Sequence, residues 1–477
     1  MSRDPNRVVI IGNGPAALRL TTRLHTLGHQ GPLTVIGDEP EGAYQRPLLT
    51  SLASGELRAD HLRLPPHPAT TDVRTGTAAT ALDTARRLIR LGTGGELPYD
   101  TLVLATGACP TPPARATALL HPDGTPRPGV TFLRTRADAE RLTGARLTVL
   151  GAGPLGIETA LALRRGGRTV TLVHEGPYPL HRHLSHETGE FLTRRLTDLG
   201  ITLRAGRTVV SHTPGRSRLD DGEELDSDTL VLCTGVRPRT GLARAAGLRT
   251  ADGILVDDLL RTSDPHIFAI GDCAELHGTA AAGIEAATTQ ADALAYTLTG
   301  TPTPYPPQPR ITRLRAPEID LVWTEQTDGQ GESSISVTDR TRARRARITV
   351  RDGRVQGSEI LGLPQAVSDV TTLVRAAWPL PTDWPGLLLG TRFGPYTEHA
   401  DDAGGADAHA CTVVCRCNNV TAKDLTAAWE AGHRTVTELA AQTRATTGCG
   451  GCTEEVQALC QNLTASRTAS HTAGSPR

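Results

Sequence analysis

The stretch RVVIIGNGPAALRLTTRLHTLG near the start of the chain returns about 140 residues later as RLTVLGAGPLGIETALALRRGG. Each copy is a run of branched apolar residues, a glycine turn, and an apolar pattern at helical spacing. A second apolar run follows each copy, PLTVIGDE after the first and RTVTLVHE after the second. Further on, YDTLVLATGACPTP is echoed by SDTLVLCTGVRPRT. A strand–turn–helix–strand unit must bring its two strands side by side in parallel, through a right-handed crossover. Repetition of the whole unit predicts an α/β chain with two Rossmann-like domains rather than a solenoid. With 477 residues there is room for about three or four domains.

The glycine turns carry the first chemistry. Gly12, Gly14 and Ala17 form G-x-G-x-x-A. The first residue lets the strand turn, the second lets backbone approach a pyrophosphate, and the small third lets helix pack on sheet. The helix amino terminus then favours an anion. Asp38 and Glu39 follow the second strand, where an acid can hold a ribose hydroxyl. Alone, such a motif also fits a plain glycine turn with no ligand; the strand, helix and acid together favour a dinucleotide. Gly151, Gly153 and Gly156 form G-x-G-x-x-G, with Glu158 next on the helix. Glu175 is the candidate ribose partner, while His174 takes the acid's usual position. A carboxylate there would repel the extra phosphate of NADPH and favour NADH. Arg164, Arg165 and Arg168 read as solvated surface charges. A third segment, RTSDPHIFAIGDCAE, ends a short strand in Gly271–Asp272. That carboxylate could accept from a ligand hydroxyl or cap a helix, and spacing alone leaves both open.

Beyond residue 301 the texture changes. GTPTPYPPQPR is a boundary, RRARITVRDGRVQGSEILG a hairpin around RDGR, and QAVSDVTTLVRAA a helix. HADDAGGADAHA reads as a linker. The net charge of −1 points to neither nucleic acid nor an anionic membrane as partner. Hydrophobic residues make up 38% but aromatics only 3%, so Leu, Val, Ile and Ala must fill the cores. Lys423 is the sole lysine. No apolar run is long enough for a membrane span, and MSRDPNR is unlike a secretory signal. The expected location is cytoplasmic, where the nine cysteines should be thiols or ligands.

Those cysteines cluster. Cys415, Cys417, Cys449 and Cys452 give C-x-C-x31-C-x2-C. Two short thiolate loops can close around two irons as a [2Fe-2S] cluster; a structural zinc site is the competing reading, although its modules seldom use so tight a C-x-C. Cys411 is a possible substitute ligand, and Cys460 reads as packed in a helix. Thr421 with Asp424, and Thr435 with Glu438, suit the starts of two helices that return the chain to the first loop.

The order GxGxxA, ATG, GxGxxGxE, TGxRP and TSDPHIFAIGD resembles the FAD-dependent pyridine nucleotide oxidoreductases, over about residues 7–300. The resemblance implies FAD on the first fingerprint, with Thr106 and Gly107 of ATG beside it and Gly271–Asp272 at its ribityl chain. It implies the nicotinamide cofactor on the second fingerprint, with Gly235 alongside and Glu158 near the nicotinamide. GDEPEGAYQRPLLTSLASGE is similar to NADH-dependent nitrite, rubredoxin and ferredoxin reductases, in which Tyr44, Arg46 and Pro47 would line the flavin site. Many ferredoxin reductases place a lysine shortly afterwards; here the chain reads Leu49–Thr50–Ser51, so no role for it carries over. The C-x4-C pair of the disulfide-reducing relatives is missing, since no cysteine precedes Cys109. CRCNNV and TGCGGC resemble the bacterioferritin-associated-ferredoxin-like (BFD-like) [2Fe-2S] domain.

The expected organisation is an FAD-binding domain over 1–112 and 238–300, an NAD(P)H-binding domain over 113–237, an α+β interface domain over 301–400, a helical [2Fe-2S] domain over 411–465, and a disordered tail over 466–477. A hydride donor gives two electrons and an iron–sulfur centre takes one at a time, so a flavin belongs between them; no acid–base triad is needed and none is read. The chain ends at Arg477, so no sirohaem-binding half is expected after the cysteines. This resembles the electron-transfer subunits of bacterial assimilatory nitrate reductases, implying a separate molybdenum-containing catalytic subunit, or another redox protein, as partner. Alternatives are the FAD and iron–sulfur subunit of an opine or amino-acid dehydrogenase, and a non-catalytic redox sensor.

Overall fold

The computed structural model describes residues 6–113, 118–280, 283–305, 309–324, 333–381, 384–389, 413–415, 420–446 and 452–472. In the first repeat, β1 (Val8–Ile11) leads into α1 (Pro15–Thr26), then β2 (Leu33–Ile36), β3 (Thr71–Arg74) and β4 (Thr101–Leu104). β1 runs parallel to both β2 and β4, with Val8 opposite Leu33 on one side and Thr101 on the other. Every residue of β1 is buried, Val8 and Ile10 in one core and Val9 and Ile11 in another. A parallel sheet covered on both faces requires such an unbroken apolar run.

The second repeat builds the same arrangement from β5 (Val130–Phe132), β6 (Arg146–Leu150), α2 (Pro154–Arg165), β7 (Thr169–His174), β8 (Thr202–Ala205) and β9 (Thr229–Leu232). Its sheet is ordered β8-β7-β6-β9-β5 and is parallel throughout. The chain then returns to the first sheet as β10 (Ile267–Ala269), giving the order β10-β4-β1-β2-β3. In both sheets the strand before the glycine turn lies where the strand order reverses, the position that opens a ligand crevice at strand carboxyl ends. The echoed segments meet: Ala108–Pro110 pairs antiparallel with Val236–Pro238, Cys109 opposite Arg237. The duplication therefore supplies the seam between its own copies.

α3 (Gly283–Leu298) packs on α1. The next sheet is antiparallel, ordered β11-β12-β15-β14-β13 from β11 (Ile311–Arg313), β12 (Leu321–Thr324), β13 (Ser333–Asp339), β14 (Arg344–Arg351) and β15 (Arg354–Leu361), and is covered by α4 (Pro364–Ala376). The RDGR hairpin forms as read, its turn residues Asp352 and Gly353 both at positive φ (50° and 69°), the conformation that twists with the flanking strands. The cysteine region has β16 (Val413–Cys415), β17 (Val420–Thr421), α5 (Ala422–Glu430), α6 (Val436–Thr443) and α7 (Thr453–Thr472). α7 corrects one expectation: it continues through 466–472, read from sequence as a disordered tail. Once a helix is nucleated on a packed core, adding residues costs little, and Ala465 and Ala469 favour it.

Among the described residues, no helix is long and apolar enough to cross a membrane.

Candidate functional site

Both glycine turns open into one cleft of about 1250 Å³. On its first side, Gly12 has φ 114°, and a Cβ there would sit 2.1 Å from the carbonyl oxygen of Ala105. Gly14, at the start of α1, faces open space: an added Cβ meets nothing within 4 Å. Asn13 lines the cleft, and its buried Nδ2 has no hydrogen-bond partner, although its Oδ1 bonds His67 at 2.9 Å. An open cradle at a helix amino terminus with an unused amide donor fits the phosphates of a dinucleotide. Ala17 is fully buried against the sheet.

The acids here are already engaged. Asp38 pairs with Arg239 at 2.9 Å. Glu39 takes Arg46 on Oε1 and the Tyr44 hydroxyl on Oε2, each at 2.5 Å. Arg46 also donates to the Tyr44 hydroxyl and to the carbonyl of Arg134 (2.9 and 3.0 Å), its guanidinium lying over the Tyr44 ring. Burial pushes the Tyr44 phenol well up, so it stays a donor. Arg46 and Pro47 thus line the cleft, with Arg46 held in place by the buried Tyr44 and by Glu39. Asp272 accepts from Arg134 at 2.8 Å and from the Gly283 N–H at 3.2 Å, so part of its hydrogen-bonding capacity serves the protein. Gly271 turns at φ 74°, its N–H held by Gln290 at 2.7 Å. Thr106 donates to the carbonyl of Arg239 at 3.0 Å, and the carbonyl of Gly107 accepts from the Arg239 N–H at 2.9 Å.

On the second side, Gly151 has φ 108°, and a Cβ would lie 2.4 Å from the carbonyl oxygen of Cys233. Gly156 packs on the turn itself, and Gly153 again faces open space. Gly235 accepts from the Thr111 N–H at 2.9 Å and lines the cleft with Glu158. Glu158 accepts the N–H of Arg315 at 2.8 Å, so the antiparallel sheet's leading segment reaches into the site. At the end of β7, His174 is buried with both ring nitrogens lacking a hydrogen-bond partner, and Glu175 is exposed at the mouth. Burial, helped by the neighbouring His181, pushes the His174 imidazole down to about 4, so it is neutral at physiological pH. Burial also pushes the Cys233 thiol up to about 12, leaving it protonated beside the turn.

Cys415 and Cys452 come together in the buried core of the cysteine region, with Val420, Leu425 and Ala445. Cys417, Cys449 and Cys411 lie outside the described residues. Cys460 packs in the same core, where burial pushes its thiol up. The two described cysteines, one per loop, fit a thiolate set drawn from both loops.

Sequence reasoning gave no role to Arg134, Arg239 and Arg315. Arg134 lies in TFLRTRADAERL and Arg239 directly follows the TGVRP run, so both had a signal nearby; Arg315 had none. The helix arginines depart from expectation. Arg165 bridges Glu56 (2.6 Å) and Glu318 (2.9 Å), and Arg168 donates to the carbonyl of Ala53 at 2.7 Å. Long-range partners, invisible in a local pattern, recruit them.

Two glycine cradles facing one cleft fit a pair of dinucleotides brought together, the arrangement of a two-cofactor oxidoreductase. Residues 6–292 match the family described as pyridine nucleotide-disulphide oxidoreductase, and the chain belongs to it. Residues 413–462 match the BFD-like [2Fe-2S] binding domain. The chain is thus an FAD-dependent NAD(P)H oxidoreductase that also carries a [2Fe-2S] cluster domain. It is 28% identical over 96% of its length to the assimilatory nitrate reductase electron transfer subunit of Bacillus subtilis (strain 168), and spans 60% of that protein. It is 25% identical to the nitrite reductase [NAD(P)H] of the same organism, again over 96% of its own length and 57% of the relative's. Among solved structures, the covalent putidaredoxin reductase–putidaredoxin complex superposes with a TM-score of 0.72 at 26% identity, over 83% of this chain and 98% of that one.

Proposed function

We propose that this chain carries electrons from NADH, through FAD and a [2Fe-2S] cluster, to a separate cytoplasmic protein, a molybdenum-containing nitrate reductase catalytic subunit. The observation that carries it is one cleft lined by both glycine cradles, joined on the same chain to a core that gathers Cys415 and Cys452. The likeness to an electron transfer subunit, over 96% of this chain and 60% of that relative, supports the acceptor assignment. A bound flavin would supply the conversion between two-electron hydride chemistry and the one-electron chemistry of an iron–sulfur centre.

The residues have these roles. Gly12, Gly14 and Ala17 let α1 face the FAD pyrophosphate. Asp38 and Glu39 stand at the ribose end, Glu39 also holding Arg46 beside Pro47. Thr106, Gly107, Gly271 and Asp272 border the rest of the flavin. Gly151, Gly153 and Gly156 seat the nicotinamide dinucleotide, with Gly235 and Glu158 at its reactive end and Glu175 at its ribose. Cys415, Cys417, Cys449 and Cys452 hold the cluster.

Anaerobic titration of the as-isolated protein with NADH tests the reading. Flavin absorbance should bleach and a [2Fe-2S] paramagnetic signal should appear. Nitrate should be reduced only after a molybdenum catalytic subunit is added. Bound zinc in place of iron, or nitrate turnover by this chain alone, would defeat the assignment.

A further inference from the structure

α3 begins at the flavin side of the cleft, where the Gly283 N–H meets Asp272. Along it, Glu285, Thr288 and Asp292 follow the i, i+3, i+7 spacing that puts side chains on one stripe. Each meets an arginine from a different part of the chain. Arg375, at the end of α4, pairs with Glu285 at 2.7 Å. Arg444, at the carboxyl end of α6, donates to the Thr288 hydroxyl at 3.0 Å. Arg19 and Arg23 of α1 hold Asp292 at 2.7 and 3.3 Å, and Arg19 also reaches the carbonyl of Ala441 at 3.5 Å. The cysteine region therefore touches the flavin-side helices through the end of α6.

Arg444 is well placed for this. It turns at φ 68°, and the next residue, Ala445, is buried in the same core as Cys415 and Cys452. Thr288 lies only about 8 Å along α3 from Gly283. The contact so spans from the cysteine cradle to the helix that starts at Asp272. Two carboxylates, Glu285 and Asp292, are interleaved with the four arginines, so the like charges of Arg375, Arg19 and Arg444 are offset within the stripe. An open groove of about 470 Å³ lies beside it, with Arg375, Asp424, Gln442 and Arg444 on its polar side and Val420, Ala427, Ala428 and Ala431 on its apolar side, so no close apolar seal covers this part of the junction.

We propose that Arg444 is a positioning residue, the latch that holds the [2Fe-2S] module on the first turns of α3, next to the flavin site. This rests on the cofactor placement proposed above. The test is hydrogen exchange of the holoprotein, wild type against Arg444→Gln and, from the opposite side, Thr288→Val. Both variants should speed exchange about tenfold in 283–292 and in α6 together, with β1 unchanged, and Arg444→Lys should restore part of the protection. In rapid mixing with NADH, flavin bleaching should keep its wild-type rate while the cluster signal develops several-fold more slowly. Faster exchange in α6 without any in α3 would make Arg444 a local helix cap and overturn the proposal, as would an unchanged cluster rate in both variants. A wild-type cluster that NADH never reduces would instead defeat the electron-transfer reading, and the exchange comparison would still decide the latch.

Discussion

At the scale of single residues, His174 shows how the site departs from its motif. The end of β7 is the acid's usual position, and His174, which the sequence puts there instead, is a buried imidazole at 4% exposure. Its folded value, about 4, lies below the ordinary 6.5. The unfolded chain therefore binds the extra proton first as pH falls, and the stability contributed by keeping this ring neutral is present above about 6.5 and lost toward 4. Between pH 7.5 and 5, stability against denaturant should fall by about 1–2 kcal/mol more in the wild type than in His174→Gln. Equal pH slopes in the two proteins would show that the ring is not desolvated. Glu175, the next residue, is exposed and lines the cleft mouth, so an acid stands one position beyond the imidazole.

At the scale of elements, local rules were most reliable where a hydrogen bond closes within a few residues. Thr421 was read as a helix start, and in the structure its hydroxyl accepts the Asp424 N–H while the Asp424 carboxylate takes the Thr421 N–H. This cap sits beside β17, next to the first cysteine loop. Thr421→Ala should cost about 1 kcal/mol, seen as roughly fivefold faster exchange of the α5 amides in the full protein; no change would mean the helix is held by packing alone. Strand–turn–helix units, the RDGR hairpin and α4 were legible for the same reason: their periodicity and turn chemistry are written in neighbouring residues. Strands β11, β12 and β13 were not. β13 pairs with neighbouring β14 and β11 with β12, pairings that no turn signal in the sequence marked, whereas β12 pairs with β15 across some forty positions. Arg134, Arg239 and Arg315 were missed on the same ground. Helix propagation beyond 465 was underestimated because composition was weighed without the docked helix preceding it.

At the scale of the whole molecule, buried polar contacts tie the parts together. Glu359 on β15 is 1% exposed and accepts from the backbone and hydroxyl of Ser185 at 3.1 and 2.6 Å, joining the antiparallel sheet to the second dinucleotide fold. Arg315 reaches Glu158 from the same side. Glu359→Ala leaves the half-buried Ser185 donors without this acceptor and should destabilise the protein by about 1–3 kcal/mol. A second outcome is expected in the same variant: a raised KM for NADH, measured by ferricyanide reduction, because the segment backing Glu158 loosens. A stable variant with unchanged KM would show that the two parts do not depend on this contact.

The shared cleft has a consequence for inhibition. Since both glycine turns empty into a single chamber, a molecule long enough to lie across them would compete with either dinucleotide. Occupying one end would then alter how tightly the other end holds its own ligand, and the two affinities would have to be measured as a linked pair.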